Sequence, residues 1–161
     1  MSKEISIERI RKELSEEEGI RYAKYPDSKG NTTIGIGHNL NALPVDSIIG
    51  RRLGNSKLSD AEITKIFMHD ITQVINDLDD HVPWWDTLPV FGQYILVTLS
   101  FNMGVSKVLE FRDTVAALRR QAWIVAATEL QDSKWYRQVG KRGPKLINIL
   151  RTGRFPDGAS E

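Results

Sequence analysis

The chain has no cysteine in 161 residues, which excludes disulfide staples, a thiolate nucleophile and any zinc site built on thiolates. It also lacks a long apolar run. The segment MSKEISIERIRKEL is charged throughout, without the continuous apolar stretch of a signal peptide, and no run is long enough to span a bilayer. The expectation is a protein that stays in the cytoplasm where it is made and does not insert into a membrane. Low-complexity tracts and internal repeats are missing as well. The three histidines, His38, His69 and His81, show neither an HExxH pattern nor paired-ligand spacing, so no metal is expected. No Gly-Lys-Ser/Thr phosphate loop occurs. Gly35 and Gly37 open a dinucleotide-type pattern, but Leu40 stands where its third glycine belongs. No cofactor is called for.

What is present is the ordinary balance of a globular protein. Hydrophobic residues make up 40% and charged residues 27%, and the length suits one domain that buries its own core. The net charge of +1 hides an asymmetry, because residues 132–154 carry Lys134, Arg137, Lys141, Arg142, Lys145, Arg151 and Arg154 against the single acid Asp132. Such a local excess suits an anionic partner or, equally, a solvated helix face.

Ile7, Ile10 and Leu14 recur at helical spacing, so residues 6–17 read as an amphipathic helix that stops near Gly19. Tyr22–Tyr25, the turn PDSKGN and the segment TTIGIGHNL read as a hairpin or small antiparallel sheet. Pro44 opens a short helical stretch up to Gly50. Ser59 is a good N-cap for a long helix whose stripe is Ile63, Ile66, Phe67, Ile71, Val74 and Leu78. Residues 88–103 are apolar nearly all round and read as a buried helix. Shorter helices follow at about 113–121, 123–131, 133–138 and 143–151.

The stretch EEEGIRYAKYPDSKGNTTIGIGH carries the chemistry. Glu18 continues the series Ile7, Ile10, Leu14 toward the interior, whereas Glu16 and Glu17 fall off it. Burial disfavours the ionised carboxyl and keeps a proton available for donation. Asp27, between a proline and Ser-Lys-Gly, belongs in a hydrated turn that leaves it ionised. One protonated and one ionised carboxyl group suit glycosidic hydrolysis. A frayed helix-end glutamate and a plain turn-forming aspartate would have the same spacing, so the residues alone leave both readings open.

EEGIRYAKYPDSKGNTTIGIGHNL, followed in order by SFNMG, SKWYRQ and RTGRF, resembles the T-even bacteriophage lysozymes (endolysins) of glycoside hydrolase family 24, from about residue 10 to 155. The resemblance implies a mainly helical α+β fold of lysozyme type. A small N-terminal β-sheet lobe (about 15–58) and a helical C-terminal lobe (about 81–155, packed with the N-terminal helix) would be joined by a long helix (about 59–80), with the polysaccharide in the cleft between them. All of 1–161 would then be one catalytic domain. Carried over by position, the catalytic acid falls on Glu18, its acidic partner on Asp27 and the water-positioning hydroxyl on Thr33. The implied reaction is inverting hydrolysis of the β-1,4 bond between N-acetylmuramic acid and N-acetylglucosamine in peptidoglycan.

The same resemblance places an arginine that pairs with the acid at Arg142, and a structural His–Asp pair at His38 and Asp70. The pairing also has its own ground, since Asp70 lies on the apolar stripe of the long helix, where an unpartnered carboxylate is costly. Phe101 and Asn102 match the family's cleft wall, although Asn102 replaces a glutamine. Substrate contacts map onto Asn39, Thr114 and Glu129, where this sequence departs from the family's Leu, Ser and Asn. Trp84, Trp85, Trp123 and Trp135 are expected to be core before they are sugar platforms.

The implied partner is the glycan strand of peptidoglycan, met by a monomer with no nucleic acid partner. Without a signal peptide, another phage protein, typically a holin, would be needed to let the enzyme reach the wall in the periplasm. Three competing readings remain, of which a catalytically dead wall-binding relative is disfavoured because Glu18, Asp27 and Thr33 all persist. A lytic transglycosylase would cleave the same bond with one glutamate and a sugar hydroxyl, and the retention of Asp27 and Thr33 argues against it. A non-enzymatic helical protein could use KWYRQVGKRGPK to grip nucleic acid, with steeply salt-dependent affinity.

Overall fold

The computed structural model describes residues 3–27 and 29–158. Residues 1, 2, 28 and 159–161, at the ends of the 1–161 span and within the segment PDSKGN, lie outside the described residues. Helix α1 (Lys3–Glu18) leads into strands β1 (Arg21–Pro26), β2 (Thr32–Gly35) and β3 (His38–Asn39). Helices α2 (Asp46–Ile49) and α3 (Asp60–His81) follow, then a single 3-10 turn at Trp85–Thr87. The remaining helices are α4 (Val90–Met103), α5 (Val105–Glu110), α6 (Arg112–Arg119), α7 (Trp123–Gln131), α8 (Lys134–Gln138) and α9 (Arg142–Thr152). By backbone proximity the chain divides into two compact units, residues 11–73 and residues 1–10 with 74–161.

In the first unit the strands form an antiparallel sheet in the order β1-β2-β3. Tyr25 pairs with Thr33, Thr33 with Asn39, and Ile34 with His38, while β1 is irregular between Arg21 and Tyr25. Ile34 on β2 and Ile36 in the turn that follows it are buried, as are Leu14, Val45, Leu53, Leu58, Ile63, Ile66, Phe67 and Ile71 of the same unit. The start of α3 is held by a reciprocal cap. Ser59 Oγ accepts from the Glu62 N–H at 3.1 Å, and Glu62 Oε1 accepts from the Ser59 N–H at 2.9 Å. Arg51 grips the Glu62 carboxylate with two bonds, at 2.6 and 2.9 Å, and donates to the Lys57 carbonyl at 2.9 Å, which fixes the loop before the helix.

In the second unit α4 is the central helix, with every residue from Val90 to Ser100 buried. Helix α9 packs on α4, α7 and α8, and α6 packs on α7. Two glycines mark close approaches. A Cβ on Gly92 would come 2.9 Å from the Trp123 ring, and one on Gly143 would come 2.8 Å from the Tyr136 ring. Trp85 is buried and donates to Asp79 Oδ1 at 2.7 Å. Trp135 is buried too, while Trp84 is half-buried under the Arg119 guanidinium. Residues 105–110 are helical where the sequence pattern assigned nothing, because six residues between the irregular Gly104 and Phe111 are too few for a periodicity to emerge. Among the described residues no helix is long and apolar enough to cross a membrane.

Candidate active site

The first unit holds Glu18, Asp27, Thr33, His38, Asn39 and Asp70. Glu18 is the last residue of α1, where Gly19 turns the chain with φ +70° and donates its N–H to the Ser15 carbonyl at 3.0 Å. Helix phase alone does not distinguish it. Glu16 is exposed, but Glu17 and Glu18 are both half-buried, and Glu13 is buried at 2% exposure. An apolar face that includes Ile10 and Leu14 takes in positions 13, 17 and 18 as well. What sets Glu18 apart is Gly37, in the β2–β3 turn. A Cβ built there would lie 2.8 Å from Glu18 Oε2 and 2.9 Å from its carboxyl carbon. The carboxyl group of Glu18 therefore rests directly on the backbone of the hairpin.

Asp27 lies at the other end of that hairpin, in the β1–β2 turn. Its Oδ1 accepts the N–H groups of Lys29 and Asn31, both at 2.8 Å, and its Oδ2 accepts Asn31 Nδ2 at 3.3 Å. The Asn31 N–H bond is the main reason that the carboxyl sits below the usual aspartate range. Partial desolvation opposes it, and the Lys29 N–H, the Asn31 amide and the Lys29 charge act with it. Asp27 is thus an ionised acceptor at neutral pH. Thr33, 4% exposed on β2, donates its hydroxyl to the Asn31 carbonyl at 3.3 Å. Asn31, four residues after Asp27, escaped the sequence reading.

Behind the hairpin His38 Nδ1 lies 2.6 Å from Asp70 Oδ2, and its Nε2 lies 2.7 Å from the Leu43 carbonyl. Asn39 spends its Oδ1 on the N–H groups of Asn41, at 2.9 Å, and Ala42, at 3.4 Å. The second unit holds Phe101, Asn102, Thr114, Glu129 and Arg142. Arg142 donates to Asn102 Oδ1, and Asn102 Nδ2 donates to the Thr98 carbonyl at 2.8 Å, so both ends of that amide are engaged. Phe101 and Glu129 are half-buried, and Thr114 is buried at 4% exposure. Among the described residues no group of three or more His, Cys, Asp or Glu side chains is arranged to hold a metal ion.

The family model described as phage lysozyme matches residues 15–152, a span that contains every one of these residues. The chain belongs to the phage lysozyme family. Membership makes it a glycoside hydrolase of lysozyme type, and its mainly helical α+β architecture with a small N-terminal antiparallel sheet is the lysozyme-like fold. Among relatives, it is 29% identical over 160 residues to the Dictyostelium discoideum protein named "Probable T4-type lysozyme 2", covering 89% of this chain and 94% of that one. It is 28% identical over 157 residues to the pre-baseplate central spike protein Gp5 of Enterobacteria phage T4. That match covers 88% of this chain but spans only 27% of the spike protein's length. A third relative, the peptidoglycan hydrolase gp36 of Pseudomonas phage phiKMV, is 24% identical over 143 residues, which is 87% of this chain and 15% of that protein.

Proposed function

We propose that this phage lysozyme family member is a muramidase that hydrolyses the β-1,4 bond between N-acetylmuramic acid and N-acetylglucosamine in peptidoglycan, with Glu18 as general acid and Asp27 with Thr33 activating a water. The observation that carries the reading is the hairpin of residues 21–39. Glu18 rests on its Gly37 turn, Asp27 is held ionised in its other turn, and Thr33 lies on the strand between them. A proton donor at the end of α1 resting against one turn of the hairpin, with the acceptor held in the other turn, leaves room for a water between the acceptor and the sugar. That arrangement goes with inversion, for which carboxyl groups stand about 6.5–9.5 Å apart.

In the reaction the water oxygen bonds to the anomeric carbon as the glycosidic C–O bond breaks. The leaving oxygen keeps the electron pair and takes the Glu18 proton, and the water gives its proton to Asp27. Arg142 and the His38–Asp70 pair serve as supports, and Asn39, Phe101, Asn102, Thr114 and Glu129 as candidate sugar contacts. The chain acts as one catalytic domain and as a monomer. Its biological setting is lysis of a bacterial host, where it reaches the periplasmic wall after a holin-type protein opens the membrane.

Loss of turbidity of purified peptidoglycan tests the proposal. Wild-type protein clears the suspension and leaves reducing ends, and Glu18→Gln clears it at least about 100-fold more slowly, as for loss of a general acid. A near-normal rate for Glu18→Gln removes Glu18 from the role, and 1,6-anhydro ends would replace hydrolysis by transglycosylation.

A further inference from the structure

Asn31 ties Asp27 and Thr33 to each other. Its N–H donates to Asp27 Oδ1 at 2.8 Å and its carbonyl accepts the Asp27 N–H at 2.8 Å, which closes the turn from both sides. Its side-chain Nδ2 reaches the second carboxylate oxygen at 3.3 Å, and its carbonyl also accepts the Thr33 hydroxyl at 3.3 Å. From behind, Asn41 Nδ2 donates to Asn31 Oδ1 at 3.5 Å. A carboxylate only accepts, so the amide must present Nδ2 to Asp27 and Oδ1 to Asn41, and Asn41 helps to hold it that way.

The inventory of lone pairs then becomes specific. Among the described residues, the Lys29 and Asn31 N–H groups take both acceptor positions of Asp27 Oδ1, and Asn31 Nδ2 takes one of Oδ2, which leaves a single open position on Oδ2. The Thr33 hydroxyl has spent its only proton on the Asn31 carbonyl and can only accept from a water. A water lodged between them gives one hydrogen to Thr33 Oγ1 and the other to Asp27 Oδ2, with a lone pair left over for the anomeric carbon.

We propose that Asn31 is a positioning residue that selects Oδ2 as the proton-accepting oxygen of Asp27 and fixes the Thr33 hydroxyl as an acceptor for the attacking water, an inference that rests on the hydrolytic reading above. In the step itself the hydrogen on Oδ2 transfers to Asp27 as the water oxygen bonds to carbon. The Thr33 bond only orients.

The test is the pH dependence of kcat and KM on soluble peptidoglycan fragments for wild-type, Asn31→Ala, Asn31→Asp and Asp27→Asn proteins, each with its melting temperature. Asn31→Ala keeps the backbone bonds and loses the amide. Its kcat should fall by about 10- to 100-fold, as for misplaced reacting groups, with KM little changed. The acidic limb of its profile should move to higher pH, since Asp27 loses a donor while Lys29, the charged neighbour acting on it, is unchanged. Asn31→Asp sets a like charge beside Asp27 and should move that limb further. A wild-type kcat with an unmoved limb in Asn31→Ala, alongside an inactive Asp27→Asn, overturns the role of Asn31. Full activity in Asp27→Asn overturns the hydrolytic assignment instead. Should Asn31→Ala melt early, the isosteric Asn31→Asp decides by the same two readouts.

Discussion

His38 places Nδ1 2.6 Å from Asp70 Oδ2 and Nε2 2.7 Å from the Leu43 carbonyl oxygen. A carboxylate and a carbonyl can only accept, so this geometry requires the imidazolium. Burial, with His38 at 4% exposure, is the largest influence and pulls its pKa down, but the bonds to Asp70 and Leu43 and the Asp70 charge together outweigh it and leave it raised. The pair joins the hairpin to α3, and its stabilisation has a definite sign with pH. The folded state holds the proton more tightly than the unfolded state, so the contribution is complete below the ordinary value of 6.5 and is lost as pH rises through the folded pKa. Asp70→Asn should cost about 1–3 kcal/mol at pH 5. The gap in melting temperature between wild type and variant should narrow steadily above pH 7. A gap that does not change from pH 5 to pH 9 would mean that the pair carries no linked proton.

The reciprocal cap on α3 predicts the opposite pH behaviour. Glu62 is pulled down from 4.5 to about 2, first by the Arg51 hydrogen bond and then by the Ser59 N–H. A depressed carboxyl stabilises the fold above its unfolded value, and that contribution disappears as pH falls through about 2. Wild type and Glu62→Gln should therefore differ in melting temperature at pH 6 and converge on acidification toward pH 2. Ser59→Ala removes the hydroxyl arm of the same cap and should cost about 1 kcal/mol.

The parts of this molecule that sequence made legible share a physical cause. The helix after Ser59 was readable because its cap and its stripe of Ile63, Ile66, Phe67 and Ile71 report the same element. Residues 90–100 were readable because an element buried on all sides carries no polar face. Glu18 was chosen by helix phase, and phase was too coarse, since Glu13 and Glu17 also turn inward. The close approach of its carboxyl group to Gly37 depends on where a turn 19 residues away lies, and no local pattern encodes that. The role of Asn31 was hidden for a related reason. Asparagine in a turn is common for its own backbone bonding, and only three-dimensional placement shows the same residue holding Asp27 and Thr33 together.

Gly92 tests whether Trp123 is a fixed part of the core. Alanine is favoured over glycine in a helix by about 1 kcal/mol, so a spacious site would gain stability from Gly92→Ala. Here the new methyl would lie 2.9 Å from Trp123 Cη2 and 3.2 Å from Leu88 Cβ, and the ring is held edge-on to Phe91 with centroids 4.7 Å apart. Overpacking of this kind costs about 1–3 kcal/mol, which exceeds the propensity gain. A lower melting temperature for Gly92→Ala is expected, and a higher one would show that the Trp123 ring is free to move aside.

Gly37 and Gly35 form a matched pair that separates backbone strain from displacement of the acid. Both hold φ +65°, so alanine at either should cost about 1–2 kcal/mol in the left-handed region. Their surroundings differ. A methyl on Gly35 would meet only Leu58 Cδ1 at an ordinary 3.9 Å, whereas one on Gly37 would press on Glu18 Oε2 at 2.8 Å. The Glu18 side chain holds a further interaction of its own, so displacing it has a cost in stability as well, and it moves the proposed proton donor, for which a displacement of about 1 Å can cost about 100-fold in rate. Gly37→Ala should thus melt at or below the temperature of Gly35→Ala, and only Gly37→Ala should lose wall-clearing activity far beyond its loss of stability. Equal activity in the two variants would show that the contact between Glu18 and Gly37 does not set the position of the acid during the reaction.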